Sequence, residues 1–166
     1  MRIGIDIRIL SAGFSGIPNY VKNILDNLQL IDDQNRYFLF EYPGCRYEVK
    51  NKNWEKYPVN PHVQSILATQ FLIPFHIKKL KLDLYIASDY IAPLLAPKHT
   101  KLITFIYDLT FVHFPETMAW KRLFVSKVFT SASMMRSRHI VTISDFIKRD
   151  IIKNFKKISP SKLQTI

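Results

Sequence analysis

The run Lys101-Leu-Ile-Thr-Phe-Ile-Tyr107 is almost continuously apolar and stops at Asp108. A strand covered on both faces reads this way. In doubly wound folds, groups just past the carboxyl end of such a strand meet ligands. Tyr107 and Asp108 are therefore candidate site residues. The carboxylate could accept hydrogen bonds from sugar hydroxyls or orient a neighbour, or it could simply cap the turn that follows. A second candidate is the loop Ser11-Ala-Gly13-Phe-Ser-Gly16 before Pro18. Glycines at 13 and 16 let backbone amides approach an anion, and a helix N-terminus adds partial positive charge, so the loop could cradle phosphates. The loop matches neither G-x-G-x-x-G nor a P-loop, so a plain strand-to-helix turn stands as the alternative.

A third constellation is basic. Lys148, Arg149, Lys153, Lys156, Lys157 and Lys162 flank the apolar residues Phe146, Ile147, Ile151 and Phe155. A basic amphipathic helix can lie on an anionic membrane surface. The same pattern also describes a helix packed on a sheet with its lysines in water. Asp6 and Arg8, on the polar side of the first strand, suggest a local ion pair or a hydrogen bond to the loop backbone. His99 and His113 are isolated loop histidines without a second ligand at metal spacing, so no metal site is expected. No triad, paired acid and base, or complete active site can be assembled from these residues.

The elements that would position these groups alternate. Ile3, Ile5, Ile7 and Ile9 recur at period two, a strand pattern. Pro18 suits a first helical turn, and Ile17, Tyr20/Val21, Ile24/Leu25 and Leu28 follow at helical spacing. Residues 36–42 read as a second strand stopped by Pro43-Gly44. Residues 45–62 have no convincing period, apart from short strands expected near 47–49 and 62–64. A helix is expected over 68–79, kinked or restarted at Pro74. Strands follow at 82–87, 101–107 and 139–143, with a long helix over 119–136. Ser144 should cap a further helix, and 162–166 begins one more strand. Alternating elements of these lengths predict an α/β fold, a Rossmann-like doubly wound parallel sheet with helices on both faces.

Composition bounds the rest. The 166 residues are 48% hydrophobic, enough for one folded domain, 1–166, with a real core. Cys45 is the single cysteine, so no internal disulfide is expected and a reducing, cytoplasmic compartment fits. Met1 leads straight into a strand containing Asp6, so no signal peptide is expected. Apolar runs fall short of a membrane span, which leaves a soluble protein or one peripheral on the inner membrane face. Net charge is +11, and from Trp120 onward eleven Lys and Arg face only Asp145 and Asp150, a local balance of +9. Such asymmetry attracts anions. There is no aromatic stacking pattern or nucleic-acid-reading signature, so nucleic acid is not an expected partner.

Several segments together resemble the retaining glycosyltransferases of family 4. Met1-Arg-Ile-Gly-Ile-Asp-Ile-Arg8 followed by Ser15-Gly-Ile-Pro-Asn-Tyr-Val-Lys-Asn-Ile-Leu25 is similar to their opening. Phe105-Ile-Tyr-Asp-Leu-Thr110 with Phe114-Pro-Glu116 resembles their His-Asp-Leu and Pro-Glu segment. Val141-Thr-Ile-Ser-Asp-Phe-Ile-Lys-Arg-Asp150 resembles their Val-Ser-x-Phe-Ser-Lys helix start, and Ser159 to Ile166 their strand into the interdomain linker. The resemblance implies one half of a GT-B architecture, the N-terminal acceptor-binding domain, with a donor-binding C-terminal domain absent from this chain. The implied activity is transfer of a hexosyl group, such as mannosyl or glucosyl, from a nucleotide sugar to a saccharide or lipid-linked acceptor in cell-surface polysaccharide biosynthesis. No cofactor beyond the nucleotide-sugar substrate is implied. Gly13 and Gly16 would face the donor diphosphate, Asp108 would line the acceptor side, and an anionic membrane surface is a further implied partner. The chain departs from the family at Tyr107, where the family often has His. A standalone Rossmann-like nucleotide- or phosphate-binding module, or a peripheral membrane adaptor, are the alternative readings.

Overall fold

Branched and aromatic residues gathered into short runs become strands here because each run is covered on both faces. The protein, seen in a computed structural model, is described over residues 1–13, 16–42, 45–59 and 66–166. Its strands are β1 (Arg2–Asp6), β2 (Arg36–Glu41), β3 (Trp54–Pro58), β4 (Leu84–Ala87), β5 (Lys101–Ile106), β6 (His139–Thr142) and β7 (Leu163–Thr165). They form one sheet in the order β3-β2-β1-β4-β5-β6-β7, with every neighbouring pair parallel. The helices are α1 (Ile17–Ile31), α2 (Ile66–Lys79), α3 (Thr110–His113), α4 (Trp120–Val125), α5 (Ser131–Arg136) and α6 (Asp145–Asn154). The strand order reverses between β1 and β4, the arrangement of a Rossmann-like doubly wound sheet.

Register divides the strand residues between two layers. Ile3, Ile5, Tyr37, Leu39 and Phe105 share one face, where Val21 and Leu25 of α1 cover them. Phe38, Phe40, Tyr85 and Leu102 share the other face beneath Ile73 and Ile77 of α2. Ile106, Ile140 and Leu163 extend that second face under Met134 of α5 and Ile147 and Ile151 of α6. Gly4 sits where β1 crosses this layer. A Cβ there would lie 2.5 Å from Leu82 Cδ1 and 2.9 Å from Tyr85 Cδ2, so only glycine leaves room for both.

Several local expectations change in the folded chain. β1 ends at Asp6 rather than running to Ile9, because residues Arg8–Ala12 wind into a 3-10 turn that buries Ile7 and Leu10. Residues 47–49 are not a strand; the edge strand is β3, five residues later. Its polar reading, Trp-Glu-Lys-Tyr-Pro, follows from its edge position, with Glu55 paired to Arg36 at 2.9 Å and Lys56 to Glu41 at 3.2 Å. Pro58 ends the strand, where a missing N–H is tolerated. The strand expected at 62–64 lies outside the described residues. α2 continues through Pro74, held by burial of Ile73 and Ile77 on either side of it. The helix expected at 119–136 is present with a π-helical turn, Ser126–Thr130, joining α4 to α5. Ser144 caps α6 as expected, its Oγ accepting from the Ile147 N–H at 3.3 Å. Among the described residues, no helix is long and apolar enough to cross a membrane.

Candidate functional site

The reversal of strand order opens a crevice beyond the carboxyl ends of β1, β4 and β5, and two adjoining cavities occupy it. The first, about 290 Å³, is lined by Asp6, Arg8, Tyr42, Thr69 and Asp89 among others. The second, about 480 Å³, is lined by Tyr90, Asp108, Thr110, Arg122, Ser126 and Thr130 among others. Asp89, Ile91 and Val125 belong to both, so the cavities meet at Asp89.

The floor of the first cavity is a buried ion pair. Asp6 ends β1 and Arg8 opens the 3-10 turn, so the turn folds the guanidinium back onto the carboxylate. Arg8 Nη2 donates to Asp6 Oδ2 at 2.6 Å and Nε to Oδ1 at 2.8 Å. Nη2 also reaches Thr69 Oγ1 at 3.0 Å, and the Tyr85 hydroxyl donates to Asp6 Oδ2 at 3.2 Å. Burial pulls the Arg8 pKa down, but the Asp6 charge and hydrogen bond outweigh it, so the guanidinium stays charged. The Tyr85 hydroxyl is held neutral, first by burial and then by the Asp6 charge. The ion pair suggested by the sequence is thus present, built into the core rather than at a solvated strand face.

The second cavity holds Asp108. Its Oδ2 accepts from the Tyr90 hydroxyl and its Oδ1 from the Thr110 N–H at 2.9 Å. The turn-capping role is therefore real, and it coexists with exposure to the cavity. Burial pushes the Asp108 carboxyl upward, but hydrogen bonds from Tyr90 and Thr110 and the charge of Arg122 bring it below its ordinary value. Asp89 shifts the opposite way: surrounding protein raises its carboxyl first and Asp6 raises it further, against the pull of Arg8 and Arg122. Among the described residues, no hydrogen bond or salt bridge occupies the Asp89 side chain. The crevice thus offers two carboxylates, 19 residues apart in sequence, whose surroundings shift them in opposite directions. Thr110, Ser126 and Thr130 line the same cavity. Such a lining suits a ligand bearing many hydroxyl groups.

Tyr90 and the π-helical turn shape this crevice. Tyr90 has φ +47°, a left-handed backbone unusual for a bulky residue, and strain of that kind collects at functional sites. The π-helical turn has the same association, and it supplies Ser126 and Thr130 to the cavity wall.

Tyr107 lies elsewhere. It is buried, its hydroxyl donates to Ser88 O at 2.7 Å, and its ring meets Tyr20 and Tyr90 edge-on. Burial raises its pKa, so the phenol is neutral. It lines neither cavity and buttresses Tyr90. Gly13 and Gly16 have φ of +100° and +56°, and a Cβ at either would meet nothing within 4 Å. Backbone conformation, not crowding, requires glycine there. Gly16 caps α1, and the space beside both glycines is open, but neither lines the two cavities. Residues 14 and 15 of that loop lie outside the described residues.

The basic C-terminal stretch behaves as a packed helix. Ile147 and Ile151 are spent in the core and Phe155 packs against Phe111, leaving Phe146 as the exposed apolar residue of α6. Lys148, Arg149 and Lys153 are on α6, while Lys156 and Lys157 follow it. His113, expected to be an ordinary surface residue, joins α3 to α6 through Asp150 at 2.6 Å. Sequence reasoning passed over Asp89, although it follows β4 as Asp108 follows β5, and the same positional rule finds it. Arg122, Ser126 and Thr130 carry no local signal, because their convergence depends on a π-helical turn. Among the described residues, no group of His, Cys, Asp and Glu is arranged to hold a metal ion. No family model matches the sequence, and no curated protein matches it.

Proposed function

We propose that this chain is the acceptor-binding half of a retaining glycosyltransferase of GT-B type. The full enzyme would transfer a hexosyl group from a nucleotide sugar to a saccharide or lipid-linked acceptor in cell-surface polysaccharide assembly. The observation that carries this reading is the pair of joined cavities at the strand-order reversal, where Asp89 and Asp108 present carboxylates among hydroxyl side chains. Carboxylates accept hydrogen bonds from vicinal hydroxyls and give a polar crevice selectivity for sugars over apolar ligands. In the reaction, an acceptor hydroxyl oxygen bonds to the anomeric carbon while the bond from that carbon to the diphosphate breaks, and the hydroxyl proton passes to the departing diphosphate. The departing diphosphate is the charge to stabilise, and the Gly13 and Gly16 loop at the N-terminus of α1 supports that role. The donor pocket itself belongs, on this reading, to a second domain.

The test is ligand-detected NMR of the chain against a panel of hexoses, short oligosaccharides and nucleoside diphosphates. Saccharide contacts are expected in the wild-type chain and are expected to vanish in Asp108→Asn and Asp89→Asn, with circular dichroism unchanged. Tight nucleotide binding without any saccharide contact would overturn the proposal and favour a standalone nucleotide-binding module.

A further inference from the structure

The crevice residues Asp89, Tyr90 and Ile91 belong to a short turn that buried groups from other elements pin at both ends. On the near side, Ser88 lies just past β4 and is almost fully buried. Its hydroxyl donates to Asp6 O of β1, and its carbonyl accepts from the Tyr107 hydroxyl at 2.7 Å. On the far side, Gln70 of α2 uses both ends of its amide on the loop. Nε2 donates to Ala92 O at 3.0 Å, and Oε1 accepts from the Leu94 N–H at 2.8 Å. Ser133 of α5 completes this anchor. Its Oγ accepts from the Ala92 N–H at 2.9 Å and donates at 2.6 Å to the carbonyl of Phe129, a residue of the π-helical turn. Gln70 and Ser133 are 5% and 0% exposed, so these hydrogen bonds are made away from water, where losing one is costly.

Only residues 89, 90 and 91 remain to join the two anchors. The Ile91 N–H donates to Asp89 O across Tyr90, so the turn has three residues and the left-handed backbone of Tyr90 at its centre. Turns of this kind are rare and strained, and they persist where the surrounding structure holds their ends. This one sets Asp89 and Ile91 on the walls of both cavities and brings the Tyr90 hydroxyl to Asp108. We propose that Gln70 and Ser133 are positioning residues, which hold the 89–91 turn in the shape that presents Asp89 and Asp108 together to the crevice. Neither lines a cavity itself, so both act through the turn. That the crevice takes a saccharide rests on the glycosyltransferase reading, whereas the clamp is a property of the chain alone.

Carboxyl titrations followed by carbon NMR read the clamp directly. In the wild-type chain, burial and the Asp6 charge hold Asp89 above its ordinary range, against Arg8 and Arg122. Against the upward push of burial, Tyr90, Thr110 and Arg122 hold Asp108 below its own. Gln70→Met keeps the length of the side chain and removes both of its hydrogen bonds, and Ser133→Ala removes the other two. In each variant a released turn carries Asp89 toward water and withdraws the Tyr90 hydroxyl, so Asp89 should move down and Asp108 up. Asp32, held by Tyr37 and Asn35, should stay at about 2, whereas a general loosening of the fold would move it too. Opposite shifts with Asp32 unmoved support the proposal. Unchanged titrations of Asp89 and Asp108, or a shift of Asp32 alongside them, overturn it. Saccharide affinity should also fall about tenfold in a variant that holds the competent turn about one tenth of the time. Affinity equal to wild type in both variants overturns the proposal. If the variants do not fold, amide exchange in the wild-type chain decides: Ala92 and Leu94 should be protected, and exchange as fast as in an open loop overturns the clamp. A wild-type chain without saccharide contacts, but with the opposite shifts in the variants, strikes the glycosyltransferase reading and supports the clamp.

Discussion

Asp6→Asn should be among the most damaging conservative changes in this protein. Asp6 and Arg8 side chains are 7% and 12% exposed and exchange two hydrogen bonds. The amide keeps the shape and one acceptor but removes the charge, leaving a desolvated guanidinium without its counter-ion. Breaking a buried pair from one side costs about 3–5 kcal/mol. The retained acceptor puts this change at the lower end, and a domain's total stability is only about 5–15 kcal/mol. With a urea slope of about 2 kcal/mol/M, the midpoint should fall by roughly 1.5 M. Arg8→Met should cost a similar amount by stranding the carboxylate with only Tyr85 and local amides. Asp6→Asn combined with Arg8→Met removes both charges. Its loss should therefore be well below the sum, with a coupling of about 2 kcal/mol. The assay is urea denaturation of all four chains at constant pH, checking that the slope is unchanged. Simple additivity of the two losses, or a midpoint shift of Asp6→Asn below about 0.3 M, would refute the reasoning.

Two further outcomes follow from particular contacts. Gly4→Ala would ordinarily stabilise a strand by about 0.5–1 kcal/mol through lost chain entropy. Here the added Cβ meets Leu82 Cδ1 at 2.5 Å, and overpacking of about 1–3 kcal/mol should win, giving a lower thermal midpoint. Asp32 accepts hydrogen bonds from the Tyr37 hydroxyl at 2.6 Å and from Asn35, which lower its carboxyl from 3.8 to about 2. A carboxyl depressed on folding contributes stability that is complete above 3.8 and is lost as pH falls toward about 2. Urea midpoints of the wild-type chain should drop across that window, and Tyr37→Phe should flatten the drop.

How far the site was legible depended on whether its signal was local. Asp108 could be read because an apolar run that ends at a carboxylate marks the mouth of a parallel sheet whatever its neighbours are. The Asp6–Arg8 pair was visible as two residues on one side of a strand end. Its burial was not, since that needs Thr69 of α2 and Tyr85 of β4, both more than 60 residues away. Tyr107 stood at a promising position, yet a hydrogen bond to the carbonyl of Ser88, just past β4, commits its hydroxyl to structure. The basic residues after Asp145 read either as a membrane-surface helix or as a helix packed on the sheet with its lysines in water, and the structure shows the packed form. The sheet consumed its apolar side and left Phe71 and Phe75 of α2 and Trp120 and Phe124 of α4 exposed instead.

By itself, the sequence determined the parallel α/β class, because alternating apolar strands and periodic helices have few ways to bury their surfaces. It also determined the cap at Ser144 and the glycine positions at the first turn, which depend on backbone preferences over a few residues. Tertiary structure alone decided the edge strand β3, whose polar residues are stable only beside β2. It decided the continuation of α2 through Pro74 and the π-helical turn that brings Ser126 and Thr130 to Asp108. Those outcomes depend on which residues from distant segments cover one another, a quantity that no local pattern contains.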